Sequence, residues 1–355
     1  MNQEHGGNIA RAVEKYGLSR EEIIDFSASI NFLGPPAGVK KVIKNNLDDI
    51  SKYPDPEARA LQNILAEQYD LSTEELIIAN GTAELIYLIA HVRRSERALV
   101  LAPTFSEYGR AVKSAGGEVT EFILKKSLDF ELDIDRLLPV LRKTELFFLC
   151  NPNNPTGKYI DKDEIVKILN FAADNDTFVV IDEAYMHFVE KDITAAGLVE
   201  DYDNLLVLHS LTKFFAIPGL RLGYGIGKLG LIRKLKGAKV PWSVNVFAQL
   251  AGVTALKDQE FIKRTKTKIR DEKESLYSRL KNISGFKVYY PEANYILADI
   301  SETKLTADRM KDELAKKGIL IRSCSTFSGL GEDFIRVAVR SREENLRLIK
   351  GLSNL

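Results

Sequence analysis

Short apolar runs alternate with amphipathic segments along the first two thirds of the chain. The apolar runs predict strands, and the segments with apolar residues three and four positions apart predict helices. The predicted strands cover residues 75–79, 98–102, 118–124, 146–150, 178–182, 205–209 and 220–226. The predicted helices cover residues 58–69, 83–92, 107–115 and 162–174. This alternation predicts an α/β fold with a large domain built on a mostly parallel seven-stranded sheet.

The regular alternation stops near residue 240, which predicts a second, smaller α+β domain in the C-terminal third. Its predicted elements are a long charged helix at 258–280, strands at 287–290, 295–300, 320–322 and 335–339, and a helix at 307–317. The first 35 residues contain a short helix followed by a Gly-Pro-Pro segment. We therefore divide the chain into an N-terminal arm (1–35) that packs with the small domain and the active site, a large domain (36–241) and a small domain (242–355).

Composition narrows the possible partners and the compartment. Lys+Arg and Asp+Glu both number 50, so the net charge of zero gives no support for a nucleic-acid partner. No apolar run approaches the ~20 residues of a membrane span, and the N-terminus has no apolar leader. Two cysteines, Cys150 and Cys324, are too few for a disulfide framework. We expect a cytoplasmic protein that binds no metal, since the four histidines show no ligand spacing.

Lys213 is the strongest chemical signal in the sequence. It follows the apolar run 205–208 and the hydroxyl residues Ser210 and Thr212, and Arg221 comes eight positions later. Burial lowers the pKa of a lysine and frees its amine to attack a carbonyl. Hydroxyls and a guanidinium suit a phosphate dianion. An aldehyde that carries a phosphate, pyridoxal 5'-phosphate (PLP), satisfies both requirements.

Three further segments follow predicted strands and fit the same cofactor. Residues 80–84 (Asn-Gly-Thr-Ala-Glu) could cradle a phosphate at a helix N-terminus, although an ordinary N-cap is the plainer interpretation. Residues 151–157 (Asn-Pro-Asn-Asn-Pro-Thr-Gly) form an unusual rigid loop where open α/β folds place ligands. Asp182 ends an apolar strand, where it needs a cation such as a pyridinium or a structural arginine. Tyr108 could stack on a planar ring or simply pack in the core.

Together these segments resemble the fold-type I PLP enzymes, the aspartate-aminotransferase-like superfamily, over residues 31–340. The resemblance implies that Lys213 forms the Schiff base and moves protons, that Asp182 pairs with the ring nitrogen, and that Tyr185 assists at the ring oxygen. The other implied cofactor contacts are Asn154 at the ring oxygen, Tyr108 on the ring face, and Gly81, Thr82, Ala83, Ser210, Thr212 and Arg221 at the phosphate. Tyr53 would reach the site of a neighbouring subunit, which implies a homodimer.

Within this superfamily the chain is similar to the histidinol-phosphate aminotransferase branch, and most similar to the threonine-phosphate decarboxylases of cobalamin biosynthesis. Residues 5–8 (His-Gly-Gly-Asn), 25–31, 241–245 and 321–324 carry the latter resemblance. The implied substrate ligands are His5, Gly6, Gly7, Asn8, Asn31, Asn154, Arg322 and Arg336. The implied reaction converts O-phospho-L-threonine to (R)-1-amino-2-propanol O-phosphate and CO₂.

Three alternatives stay open from the sequence. Decarboxylation and transamination differ in which bond at Cα stands perpendicular to the cofactor ring, and this orientation cannot be derived from residue types. Gly225, Gly227 and Gly230 match a G-x-G-x-x-G dinucleotide fingerprint, but a lone match is weak and falls after six predicted strands. A binding protein without catalytic activity would not need Lys213 together with its predicted partners.

Overall fold

A computed structural model describes residues 6–355, so the prediction for His5 lies outside the described residues. The strands are β1 (Ile24–Asp25), β2 (Leu76–Ala79), β3 (Arg97–Ala102), β4 (Glu118–Ile123), β5 (Leu146–Cys150), β6 (Phe178–Asp182), β7 (Leu205–Ser210), β8 (Gly223–Gly227), β9 (Lys287–Val288), β10 (Tyr295–Asp299), β11 (Ile319–Leu320), β12 (Arg322–Ser323) and β13 (Phe334–Ala338). The helices are α1 (Ile9–Tyr16), α2 (Ala37–Asn45), α3 (Arg59–Tyr69), α4 (Thr82–Arg93), α5 (Glu107–Ser114), α6 (Ile134–Leu141), α7 (Lys162–Asp174), α8 (Leu229–Ala238), α9 (Val246–Lys257), α10 (Gln259–Lys281), α11 (Ala307–Ala315) and α12 (Arg342–Ser353).

The largest sheet has seven strands in the order β2-β8-β7-β6-β5-β3-β4. All neighbouring pairs are parallel except those of β8, which runs antiparallel to β2 and β7. Strands β5, β6 and β7 are buried along their whole length, as expected for a parallel sheet covered on both faces. The predicted α/β fold with a mostly parallel sheet is therefore confirmed.

A second, antiparallel sheet has four strands in the order β12-β13-β10-β9. Its apolar residues pack with α11 and α12 into a separate core that includes Phe26 of the N-terminal segment. Strand β1 pairs in parallel with β11, which ties the N-terminal segment to this side of the molecule. The division of the chain at residues 35 and 241 remains our proposal, and α9 packs in the core of the seven-stranded sheet.

Several element boundaries differ from the sequence prediction for physical reasons. The strand predicted at 220–226 begins only at Gly223, because Pro218–Leu220 form a 3₁₀ helix and Arg221 has a left-handed φ of 58°. The strand predicted at 320–322 is broken into β11 and β12. The prediction missed α9, whose small residues are buried and give no amphipathic stripe. Among residues 6–355, none of the helices combines the length and the apolar composition that a membrane crossing needs.

Candidate active site

The predicted catalytic residues meet at one edge of the seven-stranded sheet. Asp182 is the last residue of β6, and Lys213 lies three residues beyond the end of β7. The carboxyl ends of parallel strands share one edge of the sheet, so residues far apart in sequence converge there. Both side chains line a cavity of about 440 Å³ at this edge.

Lys213 is partly buried on the cavity wall, in a setting that favours its neutral amine. Its Nζ donates a hydrogen bond to Ser210 Oγ at 3.3 Å. Burial lowers the pKa of Lys213, and the nearby Asp182 carboxylate only partly opposes that effect. A lysine of this kind is a better nucleophile toward an aldehyde than an exposed one.

Asp182 is buried, at 3% exposure, and is held in a fixed orientation. Its Oδ2 accepts a hydrogen bond from the Tyr108 hydroxyl at 2.8 Å, and its Oδ1 accepts one from the Ala184 backbone N–H at 3.0 Å. Burial raises the pKa of Asp182, opposed by the charge of Lys213 and by these hydrogen bonds. A buried carboxylate with only partial compensation is suited to a cationic partner such as a protonated ring nitrogen.

The N-terminus of α4 and Arg221 form a cradle for an anion. Gly81 precedes α4 with φ 80° and ψ 162°, a conformation essentially restricted to glycine. A Cβ atom at Gly81 would lie 2.5 Å from Arg221 Nη2, so the guanidinium fits directly against the bare backbone. Thr82, Ala83 and Arg221 all line the cavity. Backbone amides at the helix start and a guanidinium together suit a phosphate.

Two arginines from the four-stranded side line the same cavity. Arg336 Nη1 donates a hydrogen bond to Asn154 Oδ1, and Arg336 Nη2 donates one to the Ser27 carbonyl at 2.8 Å. Arg322 Nη2 donates to Thr326 Oγ1 at 2.8 Å. Both arginines are less than 9% exposed. Two buried guanidinium groups in one cavity favour a ligand with two anionic groups.

The N-terminal segment forms part of the wall of this cavity. A Cβ atom at Gly6 would lie 2.1 Å from the Ser27 carbonyl oxygen, so only glycine allows this approach. The Gly7 backbone N–H donates to Ser27 Oγ at 2.9 Å. Gly7 and Asn8 line a neighbouring cavity of about 470 Å³, which shares Gly6, Ser27 and Arg322 with the first.

The structure brings eleven of the predicted site residues to the cavity wall: Gly6, Thr82, Ala83, Tyr108, Asn154, Asp182, Tyr185, Lys213, Arg221, Arg322 and Arg336. Three others lie directly beside that wall, since Gly81 contacts Arg221 and the hydroxyls of Ser210 and Thr212 are 2.7 Å apart next to Lys213. The Tyr108 ring stacks on Phe148, with centroids 5.2 Å apart. Its stacking on a cofactor stays a prediction.

Asn31 and Tyr53 lie away from the cavity wall. The Asn31 side chain donates to the Phe214 carbonyl at 2.8 Å, and its backbone N–H donates to the Lys213 carbonyl at 3.1 Å. These contacts position the segment that carries Lys213, and a role of Asn31 as a substrate ligand stays a prediction. Tyr53 is 83% exposed and its ring lies 5.0 Å from that of Trp242.

The sequence reasoning missed several residues that line the cavity: Ser27, Ala28, Ser29, Ile30, Phe105, Ser106, Glu107, Cys150, Ala184, Thr326 and Phe327. Residues 27–30 lie within the segment 25–31 that carries the resemblance, but of that segment only Asn31 was assigned a role. Their position next to Arg336 depends on how the arm crosses the sheet edge. Nothing in their residue types signals this.

The residues present fit PLP. Lys213 offers a partly buried amine with a lowered pKa, Asp182 a buried carboxylate, and Gly81 a bare backbone against the Arg221 guanidinium. No group of three or more His, Cys, Asp or Glu side chains within residues 6–355 is arranged to hold a metal ion. The fold and the site thus define a PLP-dependent enzyme of the aspartate-aminotransferase-like fold.

The profile of the family described as Aminotransferase class I and II matches residues 21–352, so the chain belongs to this family. The threonine-phosphate decarboxylase of Salmonella typhimurium is 35% identical over 356 residues, covering 100% of this chain and 97% of that protein. A protein of Caldanaerobacter subterraneus subsp. tengcongensis, provisionally assigned as a threonine-phosphate decarboxylase, is 40% identical over 354 residues (99% and 94% covered). The histidinol-phosphate aminotransferase of Methanocaldococcus jannaschii is 32% identical over 354 residues (98% and 92% covered).

Solved structures of both kinds of enzyme share this fold. The L-threonine-O-3-phosphate decarboxylase of Porphyromonas gingivalis superimposes with a TM-score of 0.84 at 27% identity, covering 94% of this chain and 99% of that one. The histidinol-phosphate aminotransferase of Clostridium acetobutylicum gives a TM-score of 0.87 at 28% identity, covering 94% and 98%. The predicted family and cofactor are confirmed. The relatives are named for two different reactions, decarboxylation and transamination.

Proposed function

We propose that this protein decarboxylates O-phospho-L-threonine to (R)-1-amino-2-propanol O-phosphate in cobalamin biosynthesis. The observation that carries the proposal is the pair of buried arginines, Arg322 and Arg336, on the wall of the cavity that holds Lys213. The proposed substrate has two anionic ends, a carboxylate and a phosphate. Each guanidinium can form a two-pronged contact with one of them.

The proposed substrate orientation follows from what each arginine contacts. Arg336 lies beside Asn154 and Ser27, and we assign it to the substrate carboxylate. Arg322 lines both cavities together with Gly6 and Ser27 of the arm, and we assign it to the phosphate. The phosphate of PLP would be held separately by Gly81, Thr82 and Arg221, so the site has positive groups for three anions.

The residues of this chain have defined tasks in the proposed reaction. When bound, PLP supplies a protonated ring that accepts the electron pair released at Cα. Asp182 holds the proton on the ring nitrogen, because its own carboxylate is buried and needs a cation. The bond between Cα and the carboxylate breaks and CO₂ leaves. Lys213 then delivers one proton to Cα, which balances the reaction.

The relatives support decarboxylation without excluding transamination. Two relatives assigned as threonine-phosphate decarboxylases are 40% and 35% identical to this chain. The histidinol-phosphate aminotransferases of Methanocaldococcus jannaschii and Methanococcoides burtonii are 32% and 33% identical. Histidinol-phosphate aminotransferase is therefore the second candidate function.

Product analysis with O-phospho-L-threonine separates the two candidates. The PLP-loaded protein should release CO₂ and form the amine phosphate with no keto acid present. Lys213→Ala is the inactive control, and Lys239→Arg, which alters a half-buried lysine away from the cavity, should stay active. Formation of glutamate from histidinol phosphate and 2-oxoglutarate, with no CO₂ from phosphothreonine, would overturn the proposal.

We further propose a homodimer in which Tyr53 contributes to the partner's site. Tyr53 is highly exposed and contacts Trp242, and the large apolar side chains of Ile50 and Val240 are exposed as well. Sedimentation would test the dimer. In a dimer of this kind, Tyr53→Phe should weaken cofactor binding without changing the sedimentation coefficient. Action in the cytoplasm remains a prediction from the sequence.

A further inference from the structure

Ser29 is a buried residue of the cavity wall to which neither the sequence nor the proposed function assigns a task. It is 3% exposed and lies between Ser27, whose carbonyl accepts from Arg336, and Asn31, whose N–H donates to the Lys213 carbonyl. The Ser29 backbone carbonyl is fixed by Asn294 Nδ2 at 3.0 Å. The backbone on either side of Ser29 is therefore anchored to both the predicted carboxylate ligand and the predicted nucleophile.

The Ser29 hydroxyl has no hydrogen-bond partner within the structure. The Ser29 hydroxyl lies near Tyr185. Burial raises the pKa of Tyr185 to about 12, and Arg336 and the nearby Ser29 hydroxyl oppose this shift to a smaller extent. The geometry of the two hydroxyls is nevertheless not that of a hydrogen bond. Buried hydroxyls are normally paired, because an unpaired one loses its bonds to water without replacement. The Ser29 hydroxyl is therefore available to form a hydrogen bond with a bound ligand.

Arg336 carries a second unpaired donor on the same cavity wall. Its Nη1 and Nη2 groups are bonded to Asn154 and Ser27, but its buried Nε has no partner among residues 6–355. Both unpaired groups can donate, and one of them is part of a permanent cation. A ligand oxygen that carries negative charge satisfies both, whereas an amine could bond only to Ser29 and would be repelled by Arg336, and an apolar group satisfies neither.

We propose that the Ser29 hydroxyl is a specificity-determining contact that, together with Arg336 Nε, binds the carboxylate of the substrate. The assignment rests on the proposed function for the choice of carboxylate-bearing ligand. In this role Ser29 discriminates the substrate from its own decarboxylated product, which keeps the phosphate and the amine but has lost the carboxylate. It thereby favours release of the product after CO₂ has left.

The test compares two ligands that differ only in the carboxylate. Calorimetry measures the binding of O-phospho-L-threonine and of 1-amino-2-propanol O-phosphate to the PLP-loaded Lys213→Ala protein, which cannot turn over. Ser29→Ala in this background should weaken phosphothreonine about tenfold, the loss expected for one hydrogen bond to a charged group, and leave the amine phosphate unchanged. Ser106→Ala, a hydroxyl deletion at the same cavity, should not distinguish the two ligands.

A second measurement separates ligand recognition from a structural role. Ser29→Ala removes an unpaired buried hydroxyl, so the thermal midpoint of the ligand-free protein should stay the same or rise. A lower midpoint with equal weakening of both ligands would overturn the proposal in favour of a packing role. Equal weakening together with a shift in cofactor absorption would overturn it in favour of an action on Tyr185.

The same binding measurements give a different result if the proposed function is wrong. If the parent protein binds neither phosphate compound, phosphothreonine is the wrong substrate, and the same comparison is made with L-glutamate and 4-aminobutyrate, which again differ in the α-carboxylate. Selective loss of glutamate binding in Ser29→Ala would support the carboxylate contact independently of the reaction. A parent that binds neither pair, or an unchanged preference in the variant, would overturn it.

Discussion

Gly81→Ala tests whether the start of α4 and Arg221 form the phosphate cradle. At φ 80° and ψ 162° an alanine is strained by about 1–3 kcal/mol, so the ligand-free variant should lose stability by that amount. The new Cβ would lie 2.5 Å from Arg221 Nη2. The two groups must separate by about 1 Å to reach an ordinary contact of ~3.5 Å.

A displacement of this size removes the Arg221 contact to the cofactor phosphate. Such a charge-assisted hydrogen bond contributes about 1.5–3 kcal/mol, which corresponds to a roughly 10- to 150-fold increase in the Kd for PLP. Cofactor titration followed by absorbance measures this change, and urea unfolding of the ligand-free protein measures the strain.

Gly230→Ala is the matched control for this experiment. Gly230 is the second residue of α8 and has open space around its Cα, so alanine should leave the stability unchanged or raise it slightly and leave PLP binding unchanged. If Gly81→Ala bound PLP as tightly as the wild type, the phosphate would lie elsewhere and the cradle would be refuted.

Three further predictions concern charged groups of the site and its surroundings. Asp182→Asn should lower the turnover number by about 10²–10³, the usual cost of removing one electrostatic group from an enclosed site, as measured by CO₂ release. Burial raises the pKa of Glu183 to about 8, so the folded protein holds this proton more tightly than the unfolded chain and loses stability as the pH rises from about 4.5 to about 8. In urea unfolding, the free energy of unfolding of Glu183→Gln should therefore rise relative to that of the wild type as the pH increases across that range. A difference between the two free energies that does not change with pH would contradict the buried protonated state. Arg322→Ala should raise KM for phosphothreonine at least tenfold while the Kd for PLP stays the same; a parallel loss of PLP would place Arg322 at the cofactor instead.

Much of the fold could be predicted because local pattern and tertiary environment agree. The strands Leu146–Cys150 and Phe178–Asp182 were predicted to the residue, since each is a continuous apolar run that ends at a polar segment. Helix α9 escaped prediction because it packs small residues such as Ala251 and Gly252 against α3 in the core. The late start of β8 follows from the left-handed backbone of Arg221, which no sequence period reveals.

The candidate site divides in the same way. Residues at the ends of parallel strands, such as Asp182, could be assigned because the sheet itself gathers them. Ser29 could not be assigned from the sequence, because its position at the site depends on how the N-terminal segment crosses the sheet edge. The side chain of Asn31 points to the Phe214 carbonyl rather than into the cavity, a direction that depends on tertiary packing alone.

The central claim is that the amine of Lys213 bonds covalently to the aldehyde of PLP. Borohydride reduction of the PLP-loaded protein, followed by peptide mass spectrometry, should find the phosphopyridoxyl group on Lys213 alone. The label should persist in Lys239→Arg, whose wild-type lysine also has a pKa lowered by burial, and disappear in Lys213→Arg. A label on another lysine, or a wild-type protein that binds PLP without forming a reducible bond, would contradict this account.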